Sequence, residues 1–251
     1  MTERQRFVQI TLRFYAELND FLPYSLRQRT FTNDVPAHHT VKHIIESFGI
    51  PHTEVDLILA DDTPVDFTFR PRAGQRISVY PAFESIDVSP VARLRPAPLR
   101  RICFIADTHL GKLAGYLRML GFDTLYRQDY ADQEIAETAA MEERIVLTRD
   151  RGLLKRNLVT HGLYIHATRP RQQVIEVVQR LQLTALTQPF TRCLACNHLL
   201  EEVDKQQIAD RLPPDTEKYY DTFQQCPGCG RIYWKGSHYE KMQKFIEEVL
   251  T

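Results

Sequence analysis

The sequence predicts a mixed α/β chain in three parts: a small β-rich unit, a central unit of strands alternating with helices around a parallel sheet, and a short cysteine-paired unit. Three observations predict it. Residues 5–83 set one capped helix among short alternating strands, residues 102–181 alternate apolar strands with helical patterns, and four of the five cysteines form two C-x-x-C pairs near the end. A chain of 251 residues is long for a single core and has room for two or three units.

The first unit opens with an alternating run through Val8, Ile10, Leu12 and Phe14, and a second strand is expected near residues 24–31. Thr40 caps the helix VKHIIESF, with Gly49 at its end. VDLILA (55–60), the turn acids Asp61 and Asp62, and RISVYPAF (76–83) complete an order of two strands, helix, and two or three strands. That order resembles the ubiquitin-like β-grasp fold, and VKHIIESFGIP with the closing VYPAF resembles its sulfur-carrier branch. Activated members of the branch require a free C-terminal Gly-Gly, whereas this chain continues through ESIDVSPVARLRPAPL. The resemblance therefore implies a docking module, with a protein partner for residues 1–88. Pro90, Pro96 and Pro98 stiffen the connector that follows, and residues 89–99 are read as a linker.

The central unit, residues 100–188, begins with RRICFIADTHL. Ile102 to Ala106 read as a strand buried on both faces, and the run ends on Asp107. Leu110, Leu113, Leu117 and Leu120 follow at helical spacing, with Gly121 as the stop. FDTLYR (122–127) is the second strand, Asp132 caps QEIAETAAMEE, RIVLTRD (144–150) is a third strand ending in an acid, LYIHA (163–167) a fourth, and PRQQVIEVVQRL (170–181) a helix. Parallel sheets of this kind bind ligands beyond the carboxyl ends of their strands, where Asp107 and Asp150 both stand.

Asp129, Asp132 and Glu134 lie between the second strand and its helix, so these carboxylates are expected to converge. Carboxylates a few ångströms apart repel one another unless a cation neutralises them, and hard divalent ions take oxygen ligands. Each acid also has a purely structural reading. Asp132 serves as an N-cap, Asp129 as a loop residue, Glu134 as a partner of the helix dipole, and Asp107 and Asp150 as turn or cap residues. Thr148, Arg149, Arg151, Lys155 and Arg156 surround Asp150 with a hydroxyl and with cations that suit a nucleic-acid backbone.

Residues 189–251 carry the strongest motif by spacing. Cys193-x-x-Cys196 and Cys226-x-x-Cys229 are 29 residues apart, and four thiolates suit tetrahedral, structural Zn²⁺. Cys103, in mid-strand, is read as an inert core residue. RIYWKGSHYEKMQK then interleaves Tyr233, Trp234 and Tyr239 with Arg231, Lys235, Lys241 and Lys244. Such a stretch suits stacked bases and phosphates, with His238 and Lys235 beside them, or else Tyr233 and Trp234 cover the small metal-bound core. YEKMQKFIEEVL reads as an amphipathic terminal helix.

The charges balance at 32 of each sign but are unevenly placed. Lys and Arg against Asp and Glu number 9 to 12 in residues 1–88, 16 to 10 in 89–192, and 7 to 10 in 193–251, so a polyanion contact is expected in the middle. The charged start excludes a secretory leader, no apolar run is long enough to span a membrane, and the odd cysteine count speaks against a secreted disulfide framework. A cytoplasmic protein without a membrane partner is the expectation.

FIADTHLGKLAGYLRMLGFDT, the Asp129 to Glu134 cluster and RIVLTRDRGLL together resemble the PIN-like nuclease superfamily, and more closely the Mut-seven C-terminal RNase family. In bacterial members a ubiquitin-like domain often precedes the nuclease and a zinc ribbon follows it, so the resemblance covers nearly the whole chain. It implies a PIN-like parallel-sheet domain and a divalent-metal-dependent endoribonuclease with RNA as partner and substrate. Asp107, Asp132 and Asp150 would hold Mg²⁺ or Mn²⁺, and Asp123 or Asp129 would stand in for an acid that relatives carry on an intervening helix and that the 110–120 helix of this chain lacks. Lys112, Arg118, Arg149, Trp234, Lys235 and His238 are the expected substrate contacts. The alternative is an inactive RNA-binding or docking protein on the same fold.

Overall fold

A computed structural model describes residues 6–81, 94 and 101–250. Its strands are β1 (Phe7–Phe14), β2 (Thr30–Pro36), β3 (Leu57–Ala60), β4 (Thr63–Pro64), β5 (Arg76–Tyr80), β6 (Cys103–Ala106), β7 (Asp123–Leu125), β8 (Ile145–Thr148), β9 (Gly162–Tyr164), β10 (Glu201–Val203), β11 (Phe223–Gln225) and β12 (Ile232–Trp234). The helices are α1 (Val41–Ser47), α2 (Gly111–Met119), α3 (Asp132–Glu142), α4 (Arg151–Leu154), α5 (Pro170–Arg180), α6 (Pro214–Tyr219) and α7 (Ser237–Leu250). Apart from Leu94, the proline-rich linker lies outside the described residues, as do the last two residues of the expected RISVYPAF strand.

Two compact units form. One joins the chain up to Arg101 with Asp132–Tyr164, and the other joins Ile102–Ala131 with Ile165–Thr251. The first contains a five-stranded sheet in the order β2-β1-β5-β3-β4, with β1 and β5 parallel and the other pairs antiparallel. Alternation along β1 turns Ile10, Leu12 and Phe14 inward, where they meet Val41, Ile44 and Ile45 of α1. Thr40 caps α1, its hydroxyl accepting from the His43 amide at 3.3 Å. Asp61 and Asp62 form the β3–β4 turn with positive φ, as short hairpin turns require.

The second expected strand is displaced. Residues 16–21 and 24–26 are short 3-10 turns instead, and the strand is Thr30–Pro36. Buried Asn19 holds this loop: its amide donates to the carbonyls of Phe14 and Ala16, and its Oδ1 accepts from the Gln28 amide. The chain cannot extend until it leaves Gln28.

In the remainder of this unit, β8 and β9 pair in parallel, with α3 and α4 beside β8. The strand expected at 163–167 ends at Tyr164. The carboxylate of Glu176 on α5 accepts from the amides of His166 and Ala167 at 3.0 and 2.9 Å, in place of a strand partner.

The second unit contains the parallel pair β6–β7, helices α2, α5 and α7, and a three-stranded antiparallel sheet ordered β10-β11-β12. Ile208, Leu212 and Phe223 make a small core beneath that sheet. Neither the sheet nor α6 shows in the sequence pattern, because each strand has three residues and alternation needs more. Among the described residues no helix is long and apolar enough to cross a membrane.

Candidate functional site

Asp107 stands at the carboxyl end of β6 and is only 7% exposed. It caps the turn Thr108–Leu110 that leads into α2: Oδ1 accepts from the Thr108 amide at 2.6 Å and from its hydroxyl at 3.1 Å. The Tyr126 hydroxyl, beyond β7, donates to the Thr108 carbonyl at 3.0 Å. Gly111 makes this approach feasible, since a Cβ there would lie 2.6 Å from that hydroxyl oxygen. Beside Asp107 opens a cleft of about 460 Å³, lined by Thr108, His109, Gly111, Lys112, Tyr126 and Thr168 among others. Lys112 is exposed there, as a phosphate contact requires. His109, Tyr126 and Thr168 escaped sequence reasoning because nothing local distinguishes a cleft-lining residue.

Two expected site residues of this unit have other employment. Asp129 is exposed, and Arg127 donates to its two oxygens at 3.0 and 3.2 Å, which holds its carboxyl below the usual carboxylate range. Arg118, expected on RNA, is 4% exposed instead. Its guanidinium donates to the carbonyls of Thr124, Leu194 and Ala195 at 2.9, 3.1 and 2.8 Å, and helical spacing from Leu117 could not reveal that it turns inward.

In the other unit, Asp132 is the half-buried first residue of α3, and Asp150 is exposed at the end of β8. Asp150 caps α4, its Oδ1 accepting from the Gly152 amide at 2.6 Å, while its own amide donates to Thr148 Oγ1 at 2.9 Å. Arg149 beside it is exposed. Asp107 and Asp150 each stand at a strand's end and each cap the turn or helix that follows, so the turn and cap reading of these acids has its geometry.

The four paired cysteines meet. Cys193 and Cys229 sulfurs are 3.5 Å apart, those of Cys196 and Cys226 are 3.2 Å apart, and all four lie within 4.8 Å of one another. Zn–S bonds of ~2.3 Å in a tetrahedron put sulfurs about 3.8 Å apart, so the cluster can hold a structural metal such as zinc. It is the one group of three or more His, Cys, Asp or Glu donors so gathered among the described residues. Burial opposes ionisation of Cys193, but hydrogen bonds from the Tyr233 hydroxyl and nearby amides outweigh it and bring its pKa to about 6. Burial leads the opposite shift at Cys196, pushed up to about 12. Cys103 is buried in mid-strand, as expected.

The first cysteine knuckle is fastened to α2 and β7. Arg118 reaches its carbonyls, Asn197 donates to Asp123 Oδ1 and accepts from the Thr124 amide, both at 2.9 Å, and Arg192 donates to the Gly121 carbonyl at 3.1 Å. In the second half of the ribbon, Trp234 is half-buried against the Ile208–Leu212–Phe223 core, which places its ring in packing; Lys235 and His238 are exposed. The Lys235 ammonium lies 5.8 Å from the centre of the Tyr239 ring.

Comparison with known families bears on both parts of the chain. A family model described as Mut7-C ubiquitin matches residues 7–87, and one described as Mut7-C RNAse domain matches residues 102–246. A search of curated proteins finds no match. Since the second model takes in more than half the chain, strands, cysteine ribbon and all, the protein belongs to the Mut7-C RNAse domain family and carries a Mut7-C ubiquitin domain ahead of it.

Proposed function

We propose that the protein is a divalent-metal-dependent ribonuclease. The observation that supports this most is the buried carboxylate of Asp107 at a strand's carboxyl end, with Thr108, His109 and Lys112 leading from it into an open cleft. The acids that would hold the ion, Asp107, Asp132 and Asp150, offer only oxygen, which Mg²⁺ and Mn²⁺ prefer. Bound there, the ion supplies a water of lowered pKa and a charge to offset that developing on the phosphoryl oxygens. The residues of the chain do the rest. Lys112 orients a phosphate in the cleft, Arg149 meets the backbone, and Lys235 and His238 extend the contact along single-stranded RNA. The four thiolates take zinc as a structural ion, and the ubiquitin-like domain is the place for a protein partner.

A second reading, an RNA-binding protein without catalysis, draws on two observations: α2 carries no carboxylate, and Asp129 is already neutralised by Arg127. One experiment separates the two. Incubated with single-stranded and structured RNA in Mg²⁺ or Mn²⁺, the wild type cleaves, whereas Asp107→Asn and Asp150→Asn bind RNA but lose at least about a hundredfold in rate, the scale of one lost electrostatic contact in a hydrolytic site. Binding by the wild type without cleavage decides for the second reading.

A further inference from the structure

Five residues that follow Asp150, namely Arg151, Lys155, Asn157, Val159 and Tyr164, are gripped by the N-terminal domain. Arg151 packs its guanidinium against two rings, 5.0 Å from the centre of Phe21 and 5.4 Å from that of Tyr164, and the rings themselves meet edge to face at 5.4 Å. Gly49 gives it room, since a Cβ there would stand 3.1 Å from the Arg151 Nη1. Lys155 Nζ donates to the Glu46 carbonyl at 2.7 Å, and Lys42 Nζ donates to Asn157 Oδ1 at 2.9 Å. His52, 7% exposed, bridges the Glu46 carboxylate at 2.8 Å and the Val159 carbonyl at 2.9 Å. The carboxylate of Glu54, 4% exposed, accepts from the Tyr164 amide.

These ties have two consequences. Arg151 and Lys155, which stand in the sequence like RNA-facing cations, are half-buried against the N-terminal domain. Helix α4, only four residues long, is too short to hold its own shape, so the Asp150 turn takes its rigidity from outside.

We propose that Arg151 is a positioning residue through which the ubiquitin-like domain holds the Asp150 turn in its working geometry. The domain is then a brace within the chain as well as a module for others, and a partner that occupied the Phe21–Gly49 surface would release Arg151 and slacken the turn. The proposal rests on the metal-ribonuclease reading of Asp150 for its effect on catalysis, but not for its effect on order.

The test measures both in the full-length chain. Arg151→Ala should speed amide hydrogen exchange in residues 148–158 roughly tenfold and leave that of β1 and β5 unchanged. It should also lower kcat for Mn²⁺-dependent RNA cleavage roughly tenfold to a hundredfold at constant KM, as loss of a supporting partner does, while Arg151→Lys, which keeps a cation against the rings, should recover most of both. Unchanged exchange in residues 148–158 overturns the brace, and a raised KM with unchanged exchange shows Arg151 on substrate instead. Should Arg151→Ala not fold, Phe21→Leu, which removes one wall of the cage and keeps its apolar volume, must produce the same faster exchange or the brace is refuted. A wild type that cleaves no RNA refutes the ribonuclease reading alone, because the exchange comparison still decides the brace.

Discussion

At the scale of single residues, the closest constraint in the second unit sits at Gly121. Its φ of +95° lies where L side chains rarely go, and a Cβ there would stand 2.2 Å from the Gln188 carbonyl oxygen. The tightness comes from the chain that crosses it: the Gln188 and Phe190 amides donate to the carbonyls of Leu120 and Met119, both at 2.9 Å. Gly121→Ala therefore combines backbone strain with an overlap that only backbone movement relieves, and is expected to cost about 2–4 kcal/mol. Urea denaturation of the full chain followed by far-UV circular dichroism checks it, with a shift below about 0.5 kcal/mol counting against the crossing. Tyr126→Phe is the gentler companion. It removes only the hydroxyl that holds the Thr108 carbonyl, so about 1 kcal/mol of stability and a measurable loss of RNA cleavage are expected. As a helix stop, Gly121 was legible in the sequence; the segment lying on it was not, because that contact joins residues about seventy positions apart.

At the scale of elements, the cysteine knuckle and the α2–β7 pair behave as one piece. Arg118, Asn197 and Arg192 satisfy backbone groups of both, so the loop that carries the first cysteine pair also completes the hydrogen bonding of α2 and β7. Chelation of the metal is accordingly expected to destabilise β6, β7 and α2 together with the ribbon, in a single thermal transition at lower temperature; two separate transitions in calorimetry would show that they are independent. Arg118→Met tests the same coupling with the metal present. It leaves buried carbonyls without a donor at ~1–3 kcal/mol each, and zinc release to a chromophoric chelator should quicken roughly tenfold. The paired spacing of Cys193, Cys196, Cys226 and Cys229 announced a four-thiol cluster able to hold a metal, since local chemistry suffices for that. The coupling was hidden, because Arg118 and Lys112 look alike in a basic helix until packing buries one and leaves the other at the cleft. Asp107 and Asp150 were legible for the opposite reason: a strand's end and a helix's cap are both local events.

At the scale of the molecule, the boundary that proline content draws at residues 89–99 divides the sequence, while packing groups Asp132–Tyr164 with the N-terminal sheet. Residues 6–81 have a core of their own, built on Ile10, Leu12, Phe14, Ile44, Ile45, Ile58, Ile77 and Val79, whereas Asp132–Tyr164 share a compact unit with them and lean on that core through Tyr164. The two pieces of a chain cut at the linker should therefore differ. Residues 1–88 alone are expected to fold cooperatively as a monomer, since the sheet and α1 keep the core they share, while buried His52 and Glu54 lose their partners in Val159 and Tyr164. A chain starting at residue 100 loses the Phe21 ring from Tyr164, the His52 ring from the Val159 carbonyl, the Glu54 carboxylate from the Tyr164 amide, and the cover over Val159, which is fully buried in the intact protein. Apolar surface opened in this way promotes association, so the shortened chain should bind a hydrophobic dye and elute from size exclusion as aggregate or oligomer. A monomeric, dye-silent product that melts as sharply as the intact protein would mean that the N-terminal domain adds no more than a tether.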